Sequence, residues 1–234
     1  MLKLPKLIAV SGLRNSGKDT VADMLQYLLN TPKIFHNYVC FKHIKWLMNL
    51  GTFKKFSFAT PLKEILAIIL GVDVKKFEDR YFKEHTYVNL NDLEICDILK
   101  TPYLSDNEFN RYSKNLDPFF TRQHQLTIRQ LMQFVGTDVL RTFLSDELWI
   151  NSTLRKPGNK IISDLRFKVE FNAVKKYDGI IIYIRRPIAK AGNHASEKEV
   201  VDLYENNSFD YVIENTESLK ELFIKTKNIV EQIW

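Results

Sequence analysis

Residues 9–20 read AVSGLRNSGKDT, and this stretch decides the fold. Gly12, Gly17 and Lys18 stand at the spacing Gly-x-x-x-x-Gly-Lys. Glycines at those points let the backbone turn so that successive N–H groups face one anion. A helix N-terminus behind the turn adds its dipole, and the lysine reaches the outer phosphates of a nucleotide. The flanks have the required character. KLIAVSG (6–12) is an apolar run ending in glycine, which reads as a buried strand. SGKDTVADMLQYLLN (16–30) places Val21, Ala22, Leu25, Leu28 and Leu29 at a helical period. A chance strand–turn–helix with two glycines would leave Lys18 unexplained.

Asp19 is the anomaly. In many such loops a serine or threonine in that slot binds Mg2+, and here the hydroxyl comes one residue later, at Thr20. The same displacement is seen in adenylate-kinase-like enzymes, whose run is Gly-Lys-Gly-Thr. Asp19 therefore leaves the loop usable and points toward nucleotide kinases, where Mg2+ is held largely through water and substrate phosphates.

The rest of the chain continues the alternation. KKFSFA (54–59) is a second strand. TPLKEILAIILGV (60–72) is a helix opened by Thr60 and Pro61 and closed by Gly71. TIRQLMQFVGTDVLRTFL (127–144) is helical, with Thr127 as its cap. NKIISD (159–164) and DGIIIYIRRP (178–187) are strands separated by a helix around KVEFNAVKKY (168–177). FDYVIEN (209–215) is a last strand, and SLKELFIKTKNIVEQIW (218–234) a closing helix. Strands alternating with helices predict a mostly parallel sheet covered on both faces, which binds ligands at the carboxyl ends of its strands. Residues 72–125 are polar, aromatic and irregular, and read as a lid-like insertion covering a substrate.

Bulk composition narrows the class. With 234 residues the chain has room for one full-sized domain, and 45% hydrophobic residues fit a globular protein. Apolar runs such as GIIIYI (179–184) are far too short to span a membrane. The N-terminus passes straight into the loop and reads as a strand rather than a signal peptide. Cys40 and Cys96 make no disulfide framework, which fits a reducing cytoplasm. The pair Cys40 and His43 has metal-like spacing but lacks a second pair to complete a zinc site. A net charge of +6 suits either a lysine-rich solvated surface or attraction of anions. Scattered basic residues, with no single Lys/Arg-rich run, favour small anionic substrates over nucleic acid.

Beyond the loop, the chain resembles the bacteriophage-type deoxynucleoside monophosphate kinases. The matching segments are SGLRNSGKDTVADML, FATPLKEI, TIRQLMQFVGTDVLR, LWI, SDLRFKVEFNAV, IYIRRP and DYVIENTESLKELF, in the family's order. RQLMQFVGTD and the pattern SDxRxxxE are far more specific than the loop. TPKIFHNYVCFKHIKWLMNLGTFK (31–54) looks like an insertion, and residues 84–125 match poorly. The resemblance implies one phosphate-loop kinase domain over residues 1–234. Its expected reaction passes the γ-phosphoryl group of ATP to a deoxynucleoside monophosphate, with Mg2+.

Site residues follow from position and resemblance together. The ATP-binding set is Gly12, Arg14, Asn15, Ser16, Gly17, Lys18, Asp19 and Thr20, with Asn215 approaching adenine or serving only as a turn residue. Lys63 opens a helix after the second strand, and Arg80 in FEDRYFKE is a candidate for the acceptor phosphate. Both have an ordinary reading as solvated surface charges. By resemblance, Arg129, Gln133, Gly136, Thr137 and Asp138 line the acceptor pocket. Gly136 would allow close approach, and amide or carboxylate groups can read base edges. Arg129 and Gln133 lie one turn apart, giving a polar stripe, which an amphipathic surface helix would also show. Trp149 packs on a base or sugar, or is core. Asp164, expected just past its strand, organises Mg2+ directly or through water together with Thr20, or caps a helix. Arg166 binds phosphate, and Glu170 binds a sugar hydroxyl or organises Arg166. Arg185 and Arg186 end a strand, where one or both neutralise charge on the transferring group. Lys18, Asp164, Arg166, Arg185 and Arg186 form the expected catalytic set.

Two rivals stay open on sequence alone. One is another small-molecule kinase of this fold; the other is an NTP-driven module acting with nucleic acid. The expected partners are ATP and deoxynucleoside monophosphates in the cytoplasm, a host's if the protein is viral, with no membrane or direct nucleic acid. A homodimer is compatible with the sequence.

Overall fold

The computed structural model describes residues 6–89, 125–187, 189, 195–206 and 209–233. The opening stretch forms β1 (Leu7–Ser11) and, beyond the loop, α1 (Lys18–Asn30). α2 (Tyr38–Ile44) lies between 3-10 turns at Lys33–Phe35 and Lys45–Asn49, and β2 is Phe53–Phe56. Next in sequence are α3 (Thr60–Leu70), a 3-10 turn at Val74–Glu78, α4 (Arg80–His85) and β3 (Tyr87–Asn89). β4 (Gln125–Thr127) leads into α5 (Ile128–Gln133), a π-helical turn at Phe134–Val139 and α6 (Leu140–Phe143). Then follow α7 (Leu148–Leu154), β5 (Asn159–Leu165), α8 (Lys168–Lys176) and β6 (Ile180–Arg185). α9 (Ala195–Glu205), β7 (Tyr211–Glu214) and α10 (Leu219–Ile233) end the described chain. The chain divides into two compact units: Met1–Phe58 with Ser152–Trp234, and Ala59–Asn151.

The first unit holds a five-stranded sheet in the order β2-β5-β1-β6-β7. Every neighbouring pair is parallel. All five residues of β1 are buried. That continuous burial matches its unbroken apolar run and requires cover on both faces of the sheet. Helix α1 supplies cover with Val21, Leu25 and Leu28, and α10 joins the same core with Leu222, Phe223, Ile229 and Val230. Burying one such side chain stabilises the fold by about 1.5–3 kcal/mol. This is the α/β architecture expected from the alternating sequence.

The segment between α1 and β2, read only as an insertion, is firmly built into this unit. Phe41 of α2 meets the rings of Tyr27 and Phe223, each at 5.3 Å between centroids. Asn30, the last residue of α1, donates to the carbonyls of Met48 (2.6 Å) and Phe53 (2.7 Å) and accepts from Phe53 N (3.0 Å). One amide side chain thus fixes where the segment leaves α1 and where β2 begins. Its helical turns went unread because the pattern is short and mixed, and within those turns only Phe41 is buried.

The described residues of the second unit are mainly helical. Among these residues two strands pair antiparallel, Tyr87 with Thr127 and Val88 with Leu126. Helix α3 is opened by Pro61 and ends at Gly71, whose φ of 62° lies in the left-handed region. The irregular stretch expected from residue 72 onward begins instead with a 3-10 turn, α4 and β3. Residues 90–124, most of the expected lid, lie outside the described residues. Among the described residues no helix is long and apolar enough to cross a membrane.

Candidate functional site

The loop between β1 and α1 turns on three left-handed residues: Gly12 (φ 149°), Asn15 (φ 65°) and Gly17 (φ 99°). Gly17 caps α1, and a Cβ there would sit 2.6 Å from Asn215 Nδ2. Both its backbone angle and its neighbour therefore demand glycine. Asn215 uses that Nδ2 to donate to Ser16 O at 2.8 Å, bracing the loop from the end of β7. Lys18 is only 6% exposed, and its Nζ donates back across the loop to Leu13 O at 3.3 Å. The ammonium is thus held across the turn, on the carbonyl that also accepts from Ser16 N. Ser11 Oγ and Ser16 Oγ are buried with no hydrogen-bond partner among the described residues. Burial of such hydroxyls without partners is costly, so both fit a site completed by ligand oxygen. Asp19 is exposed in the first turn of α1, where a carboxylate suits the helix dipole, and Thr20 is half-buried beside it. Arg14 is half-buried in the same loop.

Asp164 lies inside β5 rather than just past it, because the strand runs on to Leu165. Its Oδ2 accepts from Ser57 Oγ (2.5 Å) and its Oδ1 from Phe58 N (2.8 Å). The carboxylate thereby ties β5 to the end of β2, across 107 residues of sequence. Ser57 was missed in the sequence reading; its only signal was a hydroxyl at a strand end. The Asp164 carboxylate and the Thr20 hydroxyl are each oxygen donors of the kind a hard cation such as Mg2+ takes. Glu170, 2% exposed, turns back to accept from the backbone N–H groups of Arg166 (2.8 Å) and Phe167 (3.1 Å). It therefore caps α8 and fixes the backbone of Arg166.

The paired arginines separate. Arg186, the first residue after β6, donates from Nη1 to Asn15 O in the loop at 3.2 Å. Arg185 donates to Glu214 Oε1 at 3.0 Å and lies 5.8 Å from the centroid of the Tyr204 ring. The Glu214 hydrogen bond, with its charge, raises the Arg185 pKa above its usual value. Arg185 is thus a fixed cation turned to β7 and α9.

In the second unit the cations are paired with glutamates. Lys63 Nζ contacts Glu78 Oε1 at 2.8 Å. Arg80 Nε and Arg129 Nη2 share a single oxygen, Oε1 of Glu84, at 3.1 and 3.2 Å. Gln133, Thr137 and Asp138 are half-buried. A Cβ on Gly136 would stand 2.5 Å from Leu62 Cδ2, so the close approach it allows is with α3. Trp149 is 4% exposed and donates from Nε1 to Gly136 O at 3.0 Å. It packs as core and holds the π-helical turn. The turn begins only after Gln133, so Arg129 and Gln133 stay one turn apart on α5, and the wider i→i+5 repeat changes the angular step beyond them.

The expected residues therefore fall into two groups. The whole ATP-binding set, with Asp164, Arg166, Glu170, Arg185 and Arg186, belongs to the first unit. Lys63, Arg80, Arg129, Gln133, Gly136, Thr137, Asp138 and Trp149 belong to the second. The sequence profile described as "Deoxynucleotide monophosphate kinase" matches residues 6–226. The chain belongs to that family. The deoxynucleotide monophosphate kinase of Enterobacteria phage T4 is 27% identical, with 97% of this chain and 99% of that protein covered. That of Escherichia phage RB69 is 24% identical, with 96% and 99% covered. This deoxynucleotide monophosphate kinase family member is thus a phosphotransferase of nucleotide metabolism.

Proposed function

We propose that this chain passes the γ-phosphoryl group of ATP to a deoxynucleoside 5′-monophosphate. An oxygen of the acceptor phosphate attacks the γ-phosphorus, the bond to the β–γ bridging oxygen breaks, and ADP leaves with the deoxynucleoside diphosphate. No proton need be removed from an ionised acceptor phosphate, so positioning and charge stabilisation dominate. The observation that carries the reading is Lys18, buried and held over a loop whose Ser11 and Ser16 hydroxyls have no hydrogen-bond partner among the described residues.

In this reading Lys18 and the loop from Gly12 to Thr20 hold the ATP phosphates, and Asn215 keeps the loop in shape. Arg186 adds a cation over the same loop, and Arg166, on a backbone fixed by Glu170, adds another. Thr20 and Asp164 hold Mg2+, directly or through water. When bound, Mg2+ offsets phosphate charge and orients the transferring group. Lys63, Arg80 and Arg129 hold the acceptor phosphate, while Gln133, Thr137 and Asp138 face its nucleoside. Residues 72–125 act as the part that covers substrate and excludes water, which prevents loss of ATP to hydrolysis.

The test is direct. Purified protein with ATP and Mg2+ is offered each common deoxynucleoside and ribonucleoside monophosphate, and ADP release is followed. We expect turnover that depends on a deoxynucleoside monophosphate. Equal ATP turnover without an acceptor, or turnover raised only by DNA, would reject the reading.

A further inference from the structure

We infer that Glu84 is a positioning residue for the acceptor phosphate, acting through Arg80 and Arg129. This rests on the acceptor role proposed above for those two arginines. One carboxylate oxygen receives both guanidiniums, Arg80 through Nε and Arg129 through Nη2. Arg80 and Glu84 are one turn apart on α4, whereas Arg129 is the second residue of α5, 45 positions further along. Glu84 is therefore the point at which a local helix pair captures a cation from a distant element. Two guanidiniums brought this close repel each other, most strongly where water is scarce. A shared carboxylate offsets that repulsion and fixes both planes. Each guanidinium has five donors, and the Glu84 oxygen engages one from each. The result is a two-arginine fork set before the anion arrives, which lowers the ordering cost of binding.

Lys63 repeats the arrangement. Its side chain is 13% exposed, while its partner Glu78 is 71% exposed. Glu78 and Glu84 both come from the short stretch Val74–His85. That stretch thus carries a carboxylate contact for each acceptor cation of the second unit. The sequence showed only the Arg80–Glu84 spacing, an ordinary surface pair. Sharing with Arg129 is what turns it into a device for placing charge.

The experiment uses full-length protein with ATP, Mg2+ and whichever deoxynucleoside monophosphate the wild type phosphorylates best. Glu84→Ala should raise the acceptor KM about tenfold, the scale of one charge-assisted hydrogen bond, and leave the ATP KM within about twofold. Glu84→Asp should recover part of the loss. In an Arg129→Ala background, Glu84→Ala should add less than it does alone, because only the part acting through Arg80 is left. An unchanged acceptor KM in Glu84→Ala overturns the inference. So does a parallel rise in both KM values, or full additivity with Arg129→Ala; these mark a merely structural tie. If the wild type phosphorylates no deoxynucleoside monophosphate, the proposed function itself fails instead.

Discussion

Arg185 and Arg186 are neighbours on the chain with opposite commitments. Successive side chains of a strand point to opposite faces, so the pair must divide at the end of β6. The division leaves Arg186 on the loop carbonyl of Asn15 and Arg185 on Glu214 and Tyr204. An arginine aimed at charge that develops during transfer favours the transition state over the ground state. Arg186→Ala should therefore lower kcat by about 10²–10³-fold with smaller changes in KM, the usual scale for losing one preorganised donor. Arg185→Ala should stay within a few-fold of wild type, because its side chain braces β7 and α9. Steady-state kinetics on both variants decide this. Equal losses, or full kcat in Arg186→Ala, would reassign the roles.

Among the elements, α5 shows how a local signal supports a distant site. Thr127 Oγ1 accepts from Gln130 N at 3.2 Å, and Gln130 Oε1 accepts from Thr127 N at 2.9 Å. This capping box satisfies donors that the first helical turn would otherwise leave open. Arg129 stands inside that first turn, so the cap also fixes the start of the helix that carries it. Thr127→Ala should cost about 1 kcal/mol, or a Tm lower by roughly 2–4 °C. Thr127→Ser should keep most of the stability, since serine caps as well. Thermal and chemical denaturation of both variants provide the check; equal stability of Ala and wild type would show that the cap contributes nothing. The cap was legible because it is a matter of four consecutive residues. The π-helical turn seven residues further on was not. It depends on Leu62 packing against Gly136 and on the Trp149 indole reaching Gly136 O, contacts that no local period records.

Across the whole molecule, the residues proposed for the two substrates come from different stretches of the chain. Lys18 lies in the first unit and Arg129 in the second. Their variants should fail in different ways. Lys18→Ala should abolish most turnover at any acceptor concentration, with the fold intact by circular dichroism. Arg129→Ala should raise the acceptor KM far more than the ATP KM. A larger rise for ATP would move Arg129 to the donor side. The sequence by itself determined the class of fold and the loop. β1 is a continuous apolar run, α1 repeats at the helical period, and Gly12, Gly17 and Lys18 are spaced for phosphate within a single turn. Local conformation and side-chain period are properties of neighbouring residues, so they can be read directly. Only the tertiary structure decided the partners. Asp164 meets Ser57 across 107 residues, Asn215 braces Ser16 across 199, and Glu84 gathers Arg129 across 45. A hydrogen bond is specified by where two groups arrive, and a charged side chain reads the same in sequence whether it faces water or a carboxylate. Burial in a shared core brings those groups within reach, and that outcome depends on the whole chain at once.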